Sequence, residues 1–567
     1  MVEHVMRIGG FLGLFLLAVP FSAHASGSAA LNGPKFFYDS TKVPTAIYHA
    51  FDLPFVKTIG TGTGKINRNL TFSDEDTTPI MNRLDSIKAR GYTHIQISPP
   101  AICKPRYSKL SPGGYDFKDI WYLSYQPYVV VLDSSYQTEL DAVFGQGKKT
   151  INQYGLPLSD GTIIGYRLGN SRYGSLADLK ALIDAAKGNG LGIIADVVMH
   201  QISWDHGGAN TNVNSMGLSD LHPIVCDSTD PTDNTFSLSG LNFPNNFFFQ
   251  RGTGQYGYTT WDWGPDLNTG NSSVQTMIVN YFQLLSDIGI TGIRLDGMKQ
   301  LSPGNVQDIF QQAKTQIEKN GGQFFTWGHG EVADPQYNVT SPYLPLSPIE
   351  DFISLGLLQN IFAGSNQPMG FLVTPWALGN AAATAFSILH DQYPGVSTGQ
   401  VATYYSNGNH ADPSNIVNSQ LAIAYLMATK RCNGPLLVLR FEDEKDSIAQ
   451  LIERGLDFRT QMEAKNAPHE YAKALNNDVL LIGRQYGFAV INKGWSSYTL
   501  SQNDLRSNAQ LPFYIPDGTY KDKWGNTYTM ASGISTPKIN VFFRNAAFLI
   551  LQSPAGQTRA CHQLNKS

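Results

Sequence analysis

The feature that most constrains this chain is a recurring alternation of short apolar runs with stretches of helical spacing. Residues 46–51 form an apolar run that ends at Asp52, and Ile80, Leu84 and Ile87 then recur at helical intervals until Gly91 stops them. A second run over 92–98 is closed by Pro99 and Pro100. The order returns with a helix capped by Ser175 and ended by Gly190, then a run over 192–198. Val274, Ile278, Tyr281, Phe282 and Leu285 mark another helix, followed by Gly292-Ile293-Arg294-Leu295-Asp296. A helix over 306–317 leads to a run over 323–327 and then to Gly330-Glu331-Val332. Later runs at 381–389 and 434–439 flank a helix over 421–428, with a closing helix near 447–454.

Strand, helix, strand in succession implies parallel pairing, because a parallel neighbour needs a crossover connection. Eight such units over roughly 400 residues, with loop insertions, predict an α/β fold of the (β/α)8 TIM-barrel type. Residues 101–170 are a long loop excursion that carries the aromatic cluster at 121–127. Residues 201–264 are rich in Asn, Gly, Thr, Asp and aromatics without helical period, and are expected to be an irregular domain inserted after the third strand. Past residue 470 the pattern changes to short alternating strands at 479–483, 488–492, 516–520, 541–543 and 547–551. The expected organisation is a leader over 1–25, a barrel over 26–200 and 265–465, the insertion over 201–264, and a C-terminal antiparallel β-sandwich over 470–567.

Composition narrows the function. A chain of 567 residues is too long for one ordinary core. Only 15% of residues are charged, the net charge is −4, and basic runs are lacking, which argues against a nucleic-acid groove or an anionic-membrane surface. Aromatics at 11% suit the stacking of flat neutral ligands, as well as ordinary core packing. At the N-terminus, the apolar run 8–20 and the small-x-small triplet Ala23-His24-Ala25 predict a signal peptide and a chain that works outside the cytoplasm or in the periplasm. Cys103, Cys226, Cys432 and Cys561 lack zinc-site spacing, and either two disulfides in one of three pairings or buried thiols are expected. The chain is expected to be a monomer.

Polar residues gather at the C-terminal ends of the proposed strands. In 292–296, alternation sends Ile293 and Leu295 to one face and Arg294 and Asp296 to the other. Charges at the end of a buried strand are costly unless paired or used. Asp196, Glu331, His390 and Asp391 occupy corresponding ends, and in a barrel all of these ends meet on one face. Three or more acids with an arginine and a histidine there are not explained by core packing. The alternative is a polar rim facing solvent.

These motifs resemble the α-amylase family of glycoside hydrolases over nearly the whole chain. Gly292 to Lys299 is similar to its G-x-R-x-D-x-x-K motif, Asp196-Val197-Val198-Met199 to its third-strand motif, Gly330-Glu331-Val332 to its fifth-strand acid motif, and Phe386 through His390-Asp391 to its seventh-strand motif. Tyr125-Gln126-Pro127, Gly264 to Asn268 and Pro516 to Tyr520 match further landmarks. The resemblance implies a retaining glycosidase acting on α-glucan. Asp296 would be the nucleophile, kept ionised by Arg294, and Glu331 the general acid and base, its pKa raised so that it begins protonated. Asp391 and His390 would bind sugar hydroxyls, Tyr125 would stack under the reacting sugar, and Lys299 and Gln201 would reach substrate nearby.

The pattern also departs from the family. His200-Gln201 stands where Asn-His is usual, Gln300 where His follows the lysine, and Leu389 where Asn precedes His390. The first two touch the family's calcium position, where Asp266 is the remaining acid, and imidazole is a poor calcium ligand. The third removes the residue that chloride-dependent members use, so chloride activation is not expected. Trp204, Trp261 and Trp263 in the insertion could stack on sugar or form its core. The leading expectation is an exported enzyme that cleaves internal α-1,4 bonds. The alternatives are a transglycosylase or maltooligosaccharide-specific member, and a catalytically silent carbohydrate-binding barrel.

Overall fold

The computed structural model describes residues 34–39, 41–51, 53–56, 78–103, 124–169, 173–202, 224–226, 236–238, 241–242, 247, 266–332, 341–362, 367–373, 383–386, 414–429, 434–440, 449–465, 470–501, 504–505, 515–523, 525–530, 539–542 and 545–554. The leader, Trp204, Trp261, Trp263, Leu389, His390, Asp391, Cys432 and Cys561 lie outside them. Two compact units divide the chain. One is Asn32–Ala89 with Thr93–Glu350, and the other is mainly Asp351–Ser567.

In chain order the first unit contains β1 (Ala46–Ala50), β2 (His94–Ile97), β3 (Val129–Val131), β4 (Leu156–Pro157), β5 (Ile163–Tyr166) and β6 (Gly192–Val197). It continues with β7 (Ile224–Cys226), β8 (Phe236–Leu238), β9 (Leu241–Asn242), β10 (Gly292–Leu295), β11 (Trp327–Gly330) and β12 (Ile349–Glu350). Six of these pair in parallel in the order β1-β2-β6-β10-β11-β12. Their side chains are buried almost without exception, as expected of strands covered on both faces.

The intervening helices have legible ends. Ser175 and Asp178 form a capping box on Leu176–Gly188, and Asn271 caps Ser272–Ile288 by accepting from the Ser273 N–H. Gly289 ends the latter helix at φ 105°, a left-handed conformation that a side chain would strain. Ser272–Ile288 packs along Pro303–Lys319 through a ladder of amides. Gln312 donates to Gln275 Oε1 at 2.8 Å, Gln316 to Asn280 Oδ1 at 2.9 Å, and Asn320 to Gln283 Oε1 at 3.0 Å.

Several expectations are corrected. The strand that leads to Glu331 is Trp327–Gly330, not 323–327. Phe324 and Phe325 instead join an aromatic cluster with Phe37, Phe282 and Phe310. β12 was not apparent from the sequence because two residues carry no periodicity. The excursion over 101–170 is not one long loop. It holds the antiparallel sheet β3-β5-β4 and the helix Ser134–Phe144, capped by Asp133. Of the insertion, the described residues include a small antiparallel sheet, β7-β8-β9.

The second unit contains the parallel pair β13 (Ala383–Phe386) and β14 (Leu436–Leu439), with the helices Phe352–Phe362, Ser414–Ala428 and Ala449–Ala464. With these two, the parallel strands and their helices follow the pattern of a TIM-barrel-like fold. The chain then forms β15 (Glu470–Ala474), β16 (Val479–Arg484), β17 (Gly487–Asn492), β18 (Tyr498–Leu500), β19 (Gly518–Lys521), β20 (Thr527–Met530), β21 (Ile539–Val541) and β22 (Asn545–Pro554). Six of them make one antiparallel sheet, β15-β16-β17-β22-β19-β20, and β18 pairs with β21. Leu481, Phe488, Val490, Leu500, Ile539, Val541 and Leu549 share one apolar core. Each such side chain contributes about 1.5–3 kcal/mol by burial.

Candidate active site

Parallel register builds the site in two layers. Arg294 on β10 is level with Asp196 on β6 and with His329 on β11. Partners at one level share a face, so these three side chains point to the same side. Two residues on, Asp296 follows β10 and its N–H donates to the Val197 carbonyl at 2.9 Å. Glu331 follows β11 with its N–H on the Leu295 carbonyl at 2.8 Å. Because Ile349 pairs with Gly330, Glu350 falls at the level of Glu331.

Arg294 binds the whole cluster. Its Nη1 lies 3.0 Å from Asp196 Oδ1 and 2.5 Å from Asp296 Oδ1, its Nη2 lies 2.8 Å from Glu331 Oε2, and its Nε donates to Glu350 Oε1 at 3.1 Å. Arg294, Asp196 and Glu350 are buried, whereas the side chains of Asp296 and Glu331 remain 16% and 23% exposed. The two partly open carboxyls are therefore the ones a ligand can reach. Burial alone would discourage the arginine's charge, but the four acids hold it firmly protonated.

The two reachable acids do not have the ordering expected from the motifs. Burial pushes Asp296 well above the usual carboxylate range; Arg294 pulls against this, and the neighbouring Glu331 and Asp196 push the same way as burial. Burial also pushes Glu331 up, but Arg294, the Gly297 N–H, Lys299 and a hydrogen bond with the Asp296 side chain together bring it below its ordinary value. These surroundings favour a proton on Asp296 and charge on Glu331. The physical reason is that Glu331 has more donors: Gly297 N–H reaches its Oε2 at 3.0 Å in addition to Arg294. Gly297 adopts φ 54°, and a Cβ there would lie 2.8 Å from His200 Cε1, so glycine alone fits without strain.

The other expected residues are placed as follows. Tyr125 is buried beside the acids, and its hydroxyl donates to Asp196 Oδ2 at 2.9 Å. Gln201 is also buried, with its amide donating to the Tyr125 carbonyl at 3.1 Å, so this amide braces the Tyr125 segment. Lys299 lies on the short 3-10 turn Met298–Gln300, near enough to Glu331 to lower its pKa. Asp266 pairs with Gln201 in an isolated bridge. Glu350 and His329 were not anticipated. The sequence signal for Glu350 was only an acid after the Pro348-Ile349 pair.

At the expected calcium position the described residues offer one imidazole and one carboxyl. Calcium takes six to eight oxygens. Here His200 presents a buried imidazole, held neutral by burial with a pKa of about 4, and its Nδ1 has no hydrogen-bond partner among the described residues. Burial alone raises Asp266 to about 7. Among the described residues, no group of three His, Cys, Asp or Glu is arranged to hold a metal ion.

Residues 162–328 match the family model described as alpha amylase, catalytic domain. An alpha-amylase from Clostridium acetobutylicum is 27% identical over 222 residues, covering 39% of this chain and 21% of that protein. A cyclomaltodextrin glucanotransferase from Bacillus sp. strain 38-2 is 22% identical over 389 residues, covering 64% of this chain and 51% of that one. The chain thus spans about a fifth of the first relative and about half of the second. Among solved structures, the Geobacillus thermoleovorans alpha-amylase in complex with acarbose has a TM-score of 0.55 at 16% identity, covering 90% of this chain and 98% of that one. The fold is TIM-barrel-like, shared with this alpha-amylase structure, and residues 162–328 carry the alpha-amylase catalytic-domain pattern. The matches to its catalytic-domain model and to curated alpha-amylases support kinship with the α-amylase family.

Proposed function

We propose that the chain is a retaining α-glucan hydrolase that cleaves internal α-1,4-glucosidic bonds of starch- or glycogen-type polymers. The observation that carries this is the pair Asp296 and Glu331, held on one guanidinium as the partly exposed members of an otherwise buried acid cluster. Retention requires a nucleophile and an acid about 5–5.5 Å apart across the scissile bond. Asp296 and Glu331 interact through their side chains, so a scissile bond between them requires that they separate. The reaction needs Glu331 protonated and Asp296 ionised, the reverse of the directions in which their surroundings push them.

Insertion of the glucan breaks the Asp296–Glu331 hydrogen bond and leaves Asp296 on Arg294 as a carboxylate, with Glu331 turned to the glycosidic oxygen. Asp296 then attacks the anomeric carbon while Glu331 gives its proton to the departing oxygen, and a glycosyl ester forms on Asp296. Water, deprotonated by Glu331, attacks the same carbon and releases Asp296. Asp391 and His390 are assigned the hydroxyls of the reacting sugar, with Asp196 and Tyr125 behind. Export is supported by the apolar run 8–20 and the triplet Ala23-His24-Ala25.

A second reading, transfer of the glycosyl group to another sugar, is favoured by the matches to cyclomaltodextrin glucanotransferases. Reducing-sugar release by the purified chain from soluble starch, with product analysis on maltotriose, separates the two. Asp296→Asn is expected to abolish turnover while glucan still binds. Turnover by that variant at the parent rate would sink the assignment.

A further inference from the structure

Glu350 has no place in the mechanism above, yet it is as deeply buried as Arg294 and touches it directly. Its Oε1 accepts from Arg294 Nε at 3.1 Å, and its Oε2 is buried with no hydrogen-bond partner among the described residues. We propose that Glu350 is a positioning residue: it serves as a neutral carboxylic acid that pins Arg294 from behind, keeping Nη1 and Nη2 aimed at Asp296 and Glu331. The inference rests on the hydrolase reading for its kinetic consequence, but not for the state of the acid.

Charge counting leads to the neutral form. Arg294 faces Asp196 from β6, Asp296 at the end of β10, Glu331 at the end of β11, and Glu350 on β12. One cation against four carboxylates would leave three uncompensated charges; with Asp296 protonated two still remain around a buried guanidinium, which low-polarity surroundings penalise heavily. His329, the other basic group against Glu350, does not supply the missing charge. Its Nδ1 accepts from Trp327 Nε1 at 3.3 Å, which places the ring proton on Nε2, 3.6 Å from Glu350 Oε1. Burial, with Arg294 and His49 nearby, holds that ring neutral. Lys299 acts on Glu331 at the outer edge. Glu350 is the member of the cluster that reaches neither solvent nor a second donor, and burial pushes it up to about 8 against the pull of Arg294.

Geometry explains why the anchor matters. A guanidinium is a rigid plane, so fixing Nε fixes where both amino groups point. Without the Glu350 acceptor, the plane can turn about its stem, and the 2.5 Å and 2.8 Å contacts to Asp296 and Glu331 lose their common frame.

The test compares Glu350→Gln with Glu350→Ala. Glutamine copies the shape, the acceptor oxygen and the lack of charge, whereas alanine leaves Nε unmatched. Expected for E350A is a fall in kcat of about 10- to 100-fold on soluble starch, with KM within about threefold. E350Q is expected to recover most of that loss and to keep the pH profile of the parent. An E350Q as impaired as E350A, an E350Q profile displaced to lower pH, or an E350A with the parent kcat each overturns the proposal. Infrared difference spectroscopy near neutral pH decides independently of turnover and of whether E350A folds. A protonated-carboxyl C=O band that the parent shows and E350Q lacks supports the proposal, and no such difference refutes it. A parent without glucan turnover would sink the hydrolase reading and leave this infrared result standing.

Discussion

Replacing Arg294 by methionine removes the single guanidinium that four carboxyls share. Asp196 and Glu350, 0% and 1% exposed, would keep no cation, and Asp196 would retain only the Tyr125 hydroxyl. Breaking one buried ion pair in this way costs about 3–5 kcal/mol. For a domain of this size each kcal/mol moves Tm by about 2–4 °C, so a fall of roughly 6–20 °C is expected near neutral pH. The deficit should depend on pH. Burial places Asp196, Asp296 and Glu350 above their ordinary values even with the arginine present, and its loss would raise all four acids further. An acid whose folded pKa lies above its unfolded one binds more protons when folded, so its contribution falls as pH rises from the unfolded towards the folded value. Glu331 adds to the trend: its lowered value stabilises the parent above the ordinary glutamate range, and that contribution disappears in the variant. Melting curves of R294M and the parent should therefore lie closest near pH 4 and diverge towards pH 7.5. A gap that stays constant over that range, or a variant as stable as the parent at pH 7.5, would refute the shared-cation account.

Three further outcomes are expected. Gly297→Ala, forced into a left-handed conformation against His200, should lose about 1–3 kcal/mol in urea denaturation, and an unchanged midpoint would contradict the strain. Tyr125→Phe removes a hydrogen bond to a buried carboxylate, and a loss of about 1–3 kcal/mol is expected by the same assay. Since the imidazole of His200 is a poor calcium ligand, EGTA is expected to leave both Tm and starch hydrolysis as they are; loss on chelation with recovery on adding calcium would show that an ion is held.

Much of this arrangement was legible because two periodicities are strong. Alternation in 292–296 put Arg294 and Asp296 on one face, and the parallel register then brings Asp196, Glu331 and Glu350 to the same guanidinium. What escaped was of two kinds. Segments too short for a period, such as Ile349–Glu350, and the antiparallel strands at 129–166 left no pattern to count. The protonation order of Asp296 and Glu331 could not be foreseen either. It depends on the Gly297 N–H, a backbone donor whose direction follows from a left-handed residue rather than from any side chain.

The amide ladder between Ser272–Ile288 and Pro303–Lys319 has a consequence at the other end of β10 and β11. Sliding either helix by one turn would unmatch Gln275, Asn280 and Gln283 from Gln312, Gln316 and Asn320 all at once. The strands that these helices precede are thereby indexed like teeth on facing racks, which sets how far Asp296 and Glu331 protrude relative to each other. None of the six carries charge, so this indexing does not vary with acidity, unlike the carboxyls it aligns.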